Sequence, residues 1–477
     1  MKSLSKRFSL LALSLLALPL HAAGIHQVGF GVSVADDEYN ELRQSVALLA
    51  DGSFATVWNT GGDARLQILR PDGSKVFPDD GRSVLDPPLP YSNIVVAANP
   101  AGGAFVAASG GAGAPGGTQV LVQSFDADGN PLWATGGVFA AAPGFGDDQV
   151  QTQLVAAPRG GVYVCFRSFH KVGGRGAEIV CQRLSAGGQR LWTDQGVSCS
   201  GGANGDFLET PKIVRDDRNG LLVFWRNNHV GLLTPNEHVE VKGQHLAPDG
   251  TRSWGAKGLT VRTTRLTGGA GGGYASLAAA SDGQGGAVLS FNDGTSVNDL
   301  DVFTQRIAGD GRLLWRNGVA LATGSPYQAN DSLTATADGG AFVTVWLPLI
   351  GQGDQLWLYR LAAKGKVLWK QRITSGDPLA SASDFGAYAS FDGGRLRLAW
   401  EHYRSIGNAF DVYLAVYDLA GHRLNGADGT PLTSTPNSQF LRGFAFDPVR
   451  KQGLAVWDDQ RKPNAIDFDT LGALYQE

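Results

Sequence analysis

The sequence predicts an all-β fold, a single eight-bladed β-propeller, and three observations lead there. A glycine followed four residues later by an aromatic recurs along the chain. A second feature, a glycine-led apolar strand that usually ends in an aromatic, alternates with it. The last copy of the unit lacks one strand, and the N-terminal segment can supply it.

The first feature reads D-G-N-P-L-W ending at Trp133, G-G-Q-R-L-W at Trp192 and D-G-T-R-S-W at Trp254. It recurs as D-G-R-L-L-W at Trp315 and K-G-K-V-L-W at Trp369, with weaker copies at Phe77 and Asn425. Its glycines, Gly73, Gly129, Gly188, Gly250, Gly311, Gly365 and Gly421, lie 54 to 62 residues apart. The second feature ends at Trp58, Phe166, Trp225, Phe291, Trp346, Trp400 and Trp457, with a degenerate copy over Gly103–Ala107. Ten of the eleven tryptophans occupy these two positions, which scattered tryptophans would not do.

One unit therefore holds four short strands. Strand a is exemplified by Gln153–Ala157, b by Gly161–Phe166, c by Gln182–Leu184 and d by Gly196–Ser198. They are rich in β-branched and aromatic residues and bounded by Gly, Asp and Pro turns. Glycine makes up 66 of 477 residues without a shortage of apolar ones, which indicates many tight turns between buried strands.

The final unit has a near Phe440–Phe446, b near Gly453–Trp457 and c near Ile466–Asp469, and no d. Gly31-Val32-Ser33-Val34 matches the missing strand, so the ring is expected to close there, which removes both sheet edges. Eight blades is the direct count and seven the alternative.

The start of the chain reads as a leader spanning residues 1–23: basic Lys2, Lys6 and Arg7, an apolar run over Phe8–Leu20, then His21-Ala22-Ala23. No cysteine stands near the cleavage point, so no lipid anchor is expected, and the propeller occupies residues 24–477. No later segment is long enough to be a membrane helix. A periplasmic or secreted monomer follows, without membrane insertion. The net charge of −4 excludes the strong basic field that nucleic-acid binding needs.

The Gly-x-x-x-Trp spacing resembles the tryptophan-docking motif of quinoprotein-type propellers, which are eight-bladed. The whole unit resembles secreted bacterial propeller repeats that read W-x-D-x-R, then D-I-Y-x-Q-R-L, then D-G-x-x-L-W. Trp457-Asp458-Asp459-Gln460-Arg461 carries that pattern, as does Trp400-Glu401-His402-Tyr403-Arg404 followed by Asp411-Val412-Tyr413. The resemblance implies fold and export rather than activity. The adjacent Cys-Cys pair of quinoprotein alcohol dehydrogenases is missing. So is the anchor cysteine of the eight-bladed outer-membrane assembly scaffold.

Antiparallel succession puts the a–b and c–d turns on one face, short and trimmed. The b–c and d–a connections lie on the other, where function is expected. Long b–c loops are read over Phe169–Gly176 and Asn227–Glu240. The b–c loops carry His170, His229, His238, His402, Tyr403 and Arg404; the d–a loops carry Asp37, Asp148, Asp331 and Asp384 among other acids. Carboxylates ringing the channel mouth suit a divalent cation such as calcium, or a sugar beside Tyr274, Tyr327 and Tyr388. The plain alternative is that they cap turns and solvate the surface. A His–Tyr–Arg set would suit a polysaccharide lyase, but no compact zinc or serine-hydrolase motif is present. Arg404 with Asp411, and Arg461 with Asp467, are expected as ion pairs between b and c.

Cys165 and Cys181 lie symmetrically about Gly173, the middle of a b–c hairpin, so they face each other; a disulfide and buried free thiols both remain open. The leading functional reading is an exported binding or scaffolding module for a protein or glycan. The alternative is a glycan-active lyase or hydrolase.

Overall fold

The computed structural model describes residues 26–33, 42–60, 63–78, 81–85, 91–111, 117–142, 148–169, 176–201, 207–208, 211–229, 238–265, 276–296, 299–324, 327–348, 353–374, 383–403, 410–433, 438–460 and 469–477. It is an eight-bladed β-propeller. Eight antiparallel sheets follow in chain order, each first strand packing on the next and the eighth on the first.

Blade 3 shows the unit: Asp148–Ala156, Val162–Phe169, Ala177–Leu184 and Val197–Ser198, paired in sequence order. The strands run longer than the sequence reading gave them. Val162–Phe169 is apolar almost throughout because second strands are buried on both faces. In blade 4, Val223 and Trp225 pack toward blade 3, while Leu222 and Phe224 pack toward blade 5. Its first strand is split into Phe207–Leu208 and Lys212–Arg215. The degenerate copy in blade 2 is a full strand, Ala104–Gly110.

The ring closes as the chain ends predict. His26–Ser33 pairs antiparallel with Asp469–Gln476, Val32 opposite Gly472 and Ser33 opposite Leu471, and becomes the outer strand of blade 8. The third strand of that blade begins at Asp469, where the sequence reading had it ending.

The repeated motif has two physical causes. Each docked indole donates Nε1–H to a carbonyl of the next blade: Trp133 to Ala186 (2.7 Å), Trp192 to Pro248 (3.1 Å), Trp254 to Gly309 (3.2 Å), Trp315 to Ala363 (2.8 Å) and Trp369 to Leu419 (3.1 Å). The motif glycine of that next blade forms the floor beneath the ring. At Gly365 φ is +81°, and a Cβ would sit 3.0 Å from Trp315 Cγ, so both conformation and space require glycine.

A third-strand glutamine fixes the turn that carries the indole. Gln305 Oε1 accepts from the Trp315 and Arg306 backbone N–H groups, and its Nε2–H donates to the Arg316 carbonyl. Gln123, Gln182 and Gln244 repeat this. In blade 7 the task is reversed. Asn425, a weak copy of the aromatic in the sequence, is buried and bonds back to Val416 N–H and the Leu414 carbonyl.

Cys165 and Cys181 are opposite one another in register and form a disulfide. Cys199 is a buried free thiol whose Sγ lies 3.5 Å from Cys181 Sγ.

Candidate functional site at the channel mouth of blades 6 to 8

The first strands of blades 1, 2, 3, 6, 7 and 8 all carry a register shift in their entering half. An inserted residue bends a strand and re-aims a side chain. Here the irregularities re-aim residues toward the axis, near the face of the b–c and d–a connections. Asp331, Gly386 and Arg442 sit at these shifts, in Ala329–Ala335, Ser383–Phe391 and Gln439–Asp447.

Five polar side chains of three adjacent blades come together there. Asp331 Oδ2 accepts from Ala387 N–H at 3.3 Å, tying blade 6 to blade 7. Arg442 Nε meets Asp458 Oδ2 at 2.6 Å. Glu401, from the second strand of blade 7, accepts from Leu441 N–H and lies within electrostatic reach of Arg442, Asp331 and Asp458. Tyr388 lies within reach of the same three and of Glu401. Gly386, at φ +62°, leaves room for Glu401: a Cβ there would stand 2.8 Å from Glu401 Oε1.

The environments differ in a way that matters chemically. Burial, reinforced by Asp331 and Asp458, pushes the Glu401 carboxyl up to about 8, outweighing Arg442 and the Leu441 N–H. Asp331 is pushed up to about 6 by the loss of bulk water. Its surface is exposed all the same, as is that of Tyr388 at 38%. Exposed surface with protein packed densely around it sets both groups on the inner wall of the ring. The enclosing walls likewise raise the Tyr388 hydroxyl to about 12. Asp458 is 1% exposed and held against Arg442.

An aromatic shelf adjoins these groups. Tyr403 packs on Phe410 (5.2 Å between ring centres) and Phe410 on Phe440 (5.4 Å), all half-buried, with the Arg442 guanidinium 5.5 Å from the Phe440 ring. Half-exposed rings beside convergent polar groups are the usual lining of a small-molecule site.

Of the residues singled out in the sequence, Asp331, Tyr388 and Tyr403 belong to this mouth. His402 and Asp384 are beside it and bonded to each other, Nδ1 to Oδ1; Thr374 donates to the other Asp384 oxygen. Both are buried, and the imidazole lies edge-on to Tyr413 at 5.5 Å. Asp148 is elsewhere, accepting from Thr118 N–H of blade 2 at 2.8 Å. Tyr327 packs edge-on to Trp346 at 5.9 Å. Asp37, His170, Arg404, Arg461, Asp467 and Tyr274 lie outside the described residues.

One correction concerns placement. Asp148, Asp331 and Asp384 belong to first strands, His402 and Tyr403 to a second strand, and Asn227–His229 and His238–Glu240 to paired strands rather than loops. Strands here continue past their apolar core into polar ends, because the ladder persists where the side chains turn polar. Glu401, Asp458 and Arg442 were missed as site residues; the first two were read as parts of the repeat.

A further group forms on blade 4. His229 and His238 are opposite one another in register with rings stacked at 4.1 Å, and Glu240 Oε2 is 3.0 Å from His229 Nε2. The trimmed face has a cleft of about 410 Å³ lined by Asp216, His245, Gln284 and Arg312. Its Asp216–His245 contact (2.7 Å) recurs one blade on as Asp282–Arg306 (2.9 Å), and Asp216 also accepts from Arg218 and Gly220 N–H. Repetition marks that pair as a turn lock.

No family model and no curated protein matches the chain. Among solved structures it is similar to the polysaccharide lyase Uly1 at 10% identity, with 83% of this chain and 91% of that one covered and a TM-score of 0.45. It is similar to an α-L-arabinofuranosidase of Fusarium graminearum at 10% identity, covering 94% and 97%, TM-score 0.41. Prolyl oligopeptidase B from Galerina marginata matches at 11% identity over 92% of this chain and 51% of that one, TM-score 0.46. Identities this low carry no residue-level correspondence.

Proposed function

We propose that the protein is an exported glycan-active enzyme of the hydrolase type, acting at the channel mouth of blades 6 to 8. The observation that carries this reading is the split between two neighbouring carboxyl groups at one channel mouth, Glu401 raised to about 8 and Asp331 to about 6. Glu401 is held protonated at neutral pH, while Asp331 is ionised there. Two such groups driven apart by their surroundings supply an acid and a base together.

In this reading Glu401 protonates the leaving oxygen of a glycosidic bond, and Asp331 acts as base or nucleophile on the other side of the sugar. Arg442 and Asp458 neutralise each other and hold the eighth-blade wall. Tyr388 offers a hydroxyl, and the Tyr403–Phe410–Phe440 shelf offers apolar faces to a pyranose. With Glu401 neutral and Arg442 spent on Asp458, the remaining charge is the Asp331 carboxylate, which disfavours a uronate, so a neutral glycan fits better than the acidic substrate of a lyase. The leader-like start and the Cys165–Cys181 disulfide support an extracytoplasmic location.

The purified mature chain is to be incubated with neutral polysaccharides, with binding and new reducing ends measured in parallel. Glu401→Gln and Asp331→Asn are expected to abolish turnover and keep binding. Turnover that survives Glu401→Gln overturns the assignment. Binding without cleavage by the unaltered chain returns the site to the simpler role of glycan recognition, which the aromatic shelf also supports.

A further inference from the structure

The geometry points to a second site, unconnected with glycan chemistry: we propose that His229, His238 and Glu240 on blade 4 bind one divalent ion of the zinc type. The residues come from the two central strands, Leu221–His229 and His238–Leu246. Register sets His229 opposite His238 and Asn227 opposite Glu240, so all four side chains emerge on one face of the hairpin, the face toward blade 3. One ligand atom from each of the two histidines and the glutamate lies within 4.8 Å of the other two.

That spacing is close to what a metal needs. Bonds of about 2.0–2.1 Å in tetrahedral array place ligand atoms about 3.3 Å apart. His229 Nε2 and Glu240 Oε2 are already 3.0 Å apart. The remaining imidazole has to close by no more than about 1.5 Å, and the two stacked rings have to fan out of their near-parallel arrangement, by rotamer changes, so that both lone pairs converge.

Two groups of opposite character also compete for one ring nitrogen, an amide N–H and a carboxylate. His229 Nε2 lies 3.0 Å from the Asn227 side-chain amide and 3.0 Å from Glu240 Oε2. A neutral ring nitrogen cannot donate to the carboxylate and accept from the amide at once. A cation at this point resolves the conflict, because it takes lone pairs from both imidazoles and the carboxylate together.

The surroundings resemble the outer shell that orients metal ligands. Thr260 Oγ1 donates to the other Glu240 oxygen at 3.3 Å, and Lys242 Nζ donates to Thr260 at 3.2 Å. Lys242 Nζ also stands 3.7 Å from Glu240 Oε2 and is the counter-charge an ion would share or displace. Two nitrogens and one carboxylate oxygen suit zinc-type ions better than calcium or magnesium, and three protein ligands leave a position open.

The test uses the mature full chain, stripped with chelator, titrated with zinc chloride by calorimetry and with cobalt(II) by visible absorption. One saturable equivalent is expected, with tetrahedral cobalt bands. His229→Ala and Glu240→Gln should remove that equivalent, while His422→Gln, on a distant turn, should keep it. Thr260→Val should weaken binding by about 10- to 100-fold. Thermal melts of the stripped proteins show which variants fold, and the near-isosteric Glu240→Gln carries the test if His229→Ala does not. No saturable binding, or binding unchanged in Glu240→Gln, overturns the proposal.

Discussion

The indole of Trp315 lies so close over Gly365, across the seam between blades 5 and 6, that a Cβ there would stand 3.0 Å from its Cγ, and the same indole donates to the Ala363 carbonyl at 2.8 Å. A side chain at 365 would be strained at φ +81° as well as crowded by the ring and by Val319. Gly365→Ala is expected to lose about 1–2 kcal/mol from the backbone alone, with more from the displaced ring. Urea midpoints measured beside Lys364→Ala, one residue away on the same turn, check it. Equal midpoints would refute the contact's role.

Glu401 makes stability depend on pH in an unusual direction. Its carboxyl is raised from 4.5 to about 8 in the fold, so folding favours the protonated form. The stabilisation is complete below about pH 4.5 and is lost as the pH rises through about 8. Glu401→Gln should therefore gain on the unaltered chain between pH 5 and pH 8.5, by an amount on the order of a few kcal/mol. A parallel pH dependence in the two proteins would mean the group is not buried as described.

If the same residue donates a proton, turnover should follow a bell. The rate should rise as Asp331 ionises near 6 and fall as Glu401 deprotonates near 8. A pH–rate profile on any glycan that is cleaved decides this. A rate still climbing above pH 9 contradicts the assignment.

Arg397 is fully buried and holds both oxygens of Glu477, at 2.5 and 2.7 Å, with Asp392 at 2.9 Å. Replacing it with methionine leaves Glu477 with Arg395 at 3.7 Å and Asp392 with Lys451 at 3.1 Å, and a loss of up to about 3–5 kcal/mol is expected. Glu477→Gln added to Arg397→Met should recover part of that loss, measured as a double-mutant cycle. Asp392 reports on the same knot: burial would raise its carboxyl, but the N–H groups of Arg395 and Gly394 and nearby Arg397 hold it well below its ordinary value. Its stabilisation is present above the ordinary value and fades as the pH falls below it.

Cys199 should be chemically silent. Burial pushes its thiol far above its ordinary value, and no part of it is exposed. Iodoacetamide should leave it unmodified in the native protein and label it once in urea, as read by mass. In Cys165→Ser, the 3.5 Å approach of Cys199 to Cys181 predicts a replacement disulfide under air.

The repeat was legible because its physics is local. A tight turn needs a glycine, the indole four residues on docks on the neighbour, and both requirements recur in every copy. The missing strand was legible by subtraction. The Cys165–Cys181 pairing could be framed because a hairpin is symmetric about its turn. The same symmetry about residues 233 and 234 pairs His229 with His238, a signal that was present and was passed over. Arg442 had no such signal, and Asp331 stood out only as one acid among several ahead of the first strands. A strand irregularity breaks the two-residue alternation without a marker of its own, so which side chain swings toward the axis is settled by neighbouring blades. Glu401 was hidden differently, since a residue that matches a repeat motif looks like scaffold until its neighbours are known.

The pairing of His26–Ser33 with Asp469–Gln476 also sets a timetable. The segment made first cannot take its place until the segment made last has emerged, and nearly the whole polypeptide lies between them. Until then Asp469–Gln476 has one side without a mate, and the circle has a gap that no local rearrangement can fill. Truncation by a few residues at the carboxyl end should consequently be felt as loosening of His26–Ser33, before any other blade is disturbed.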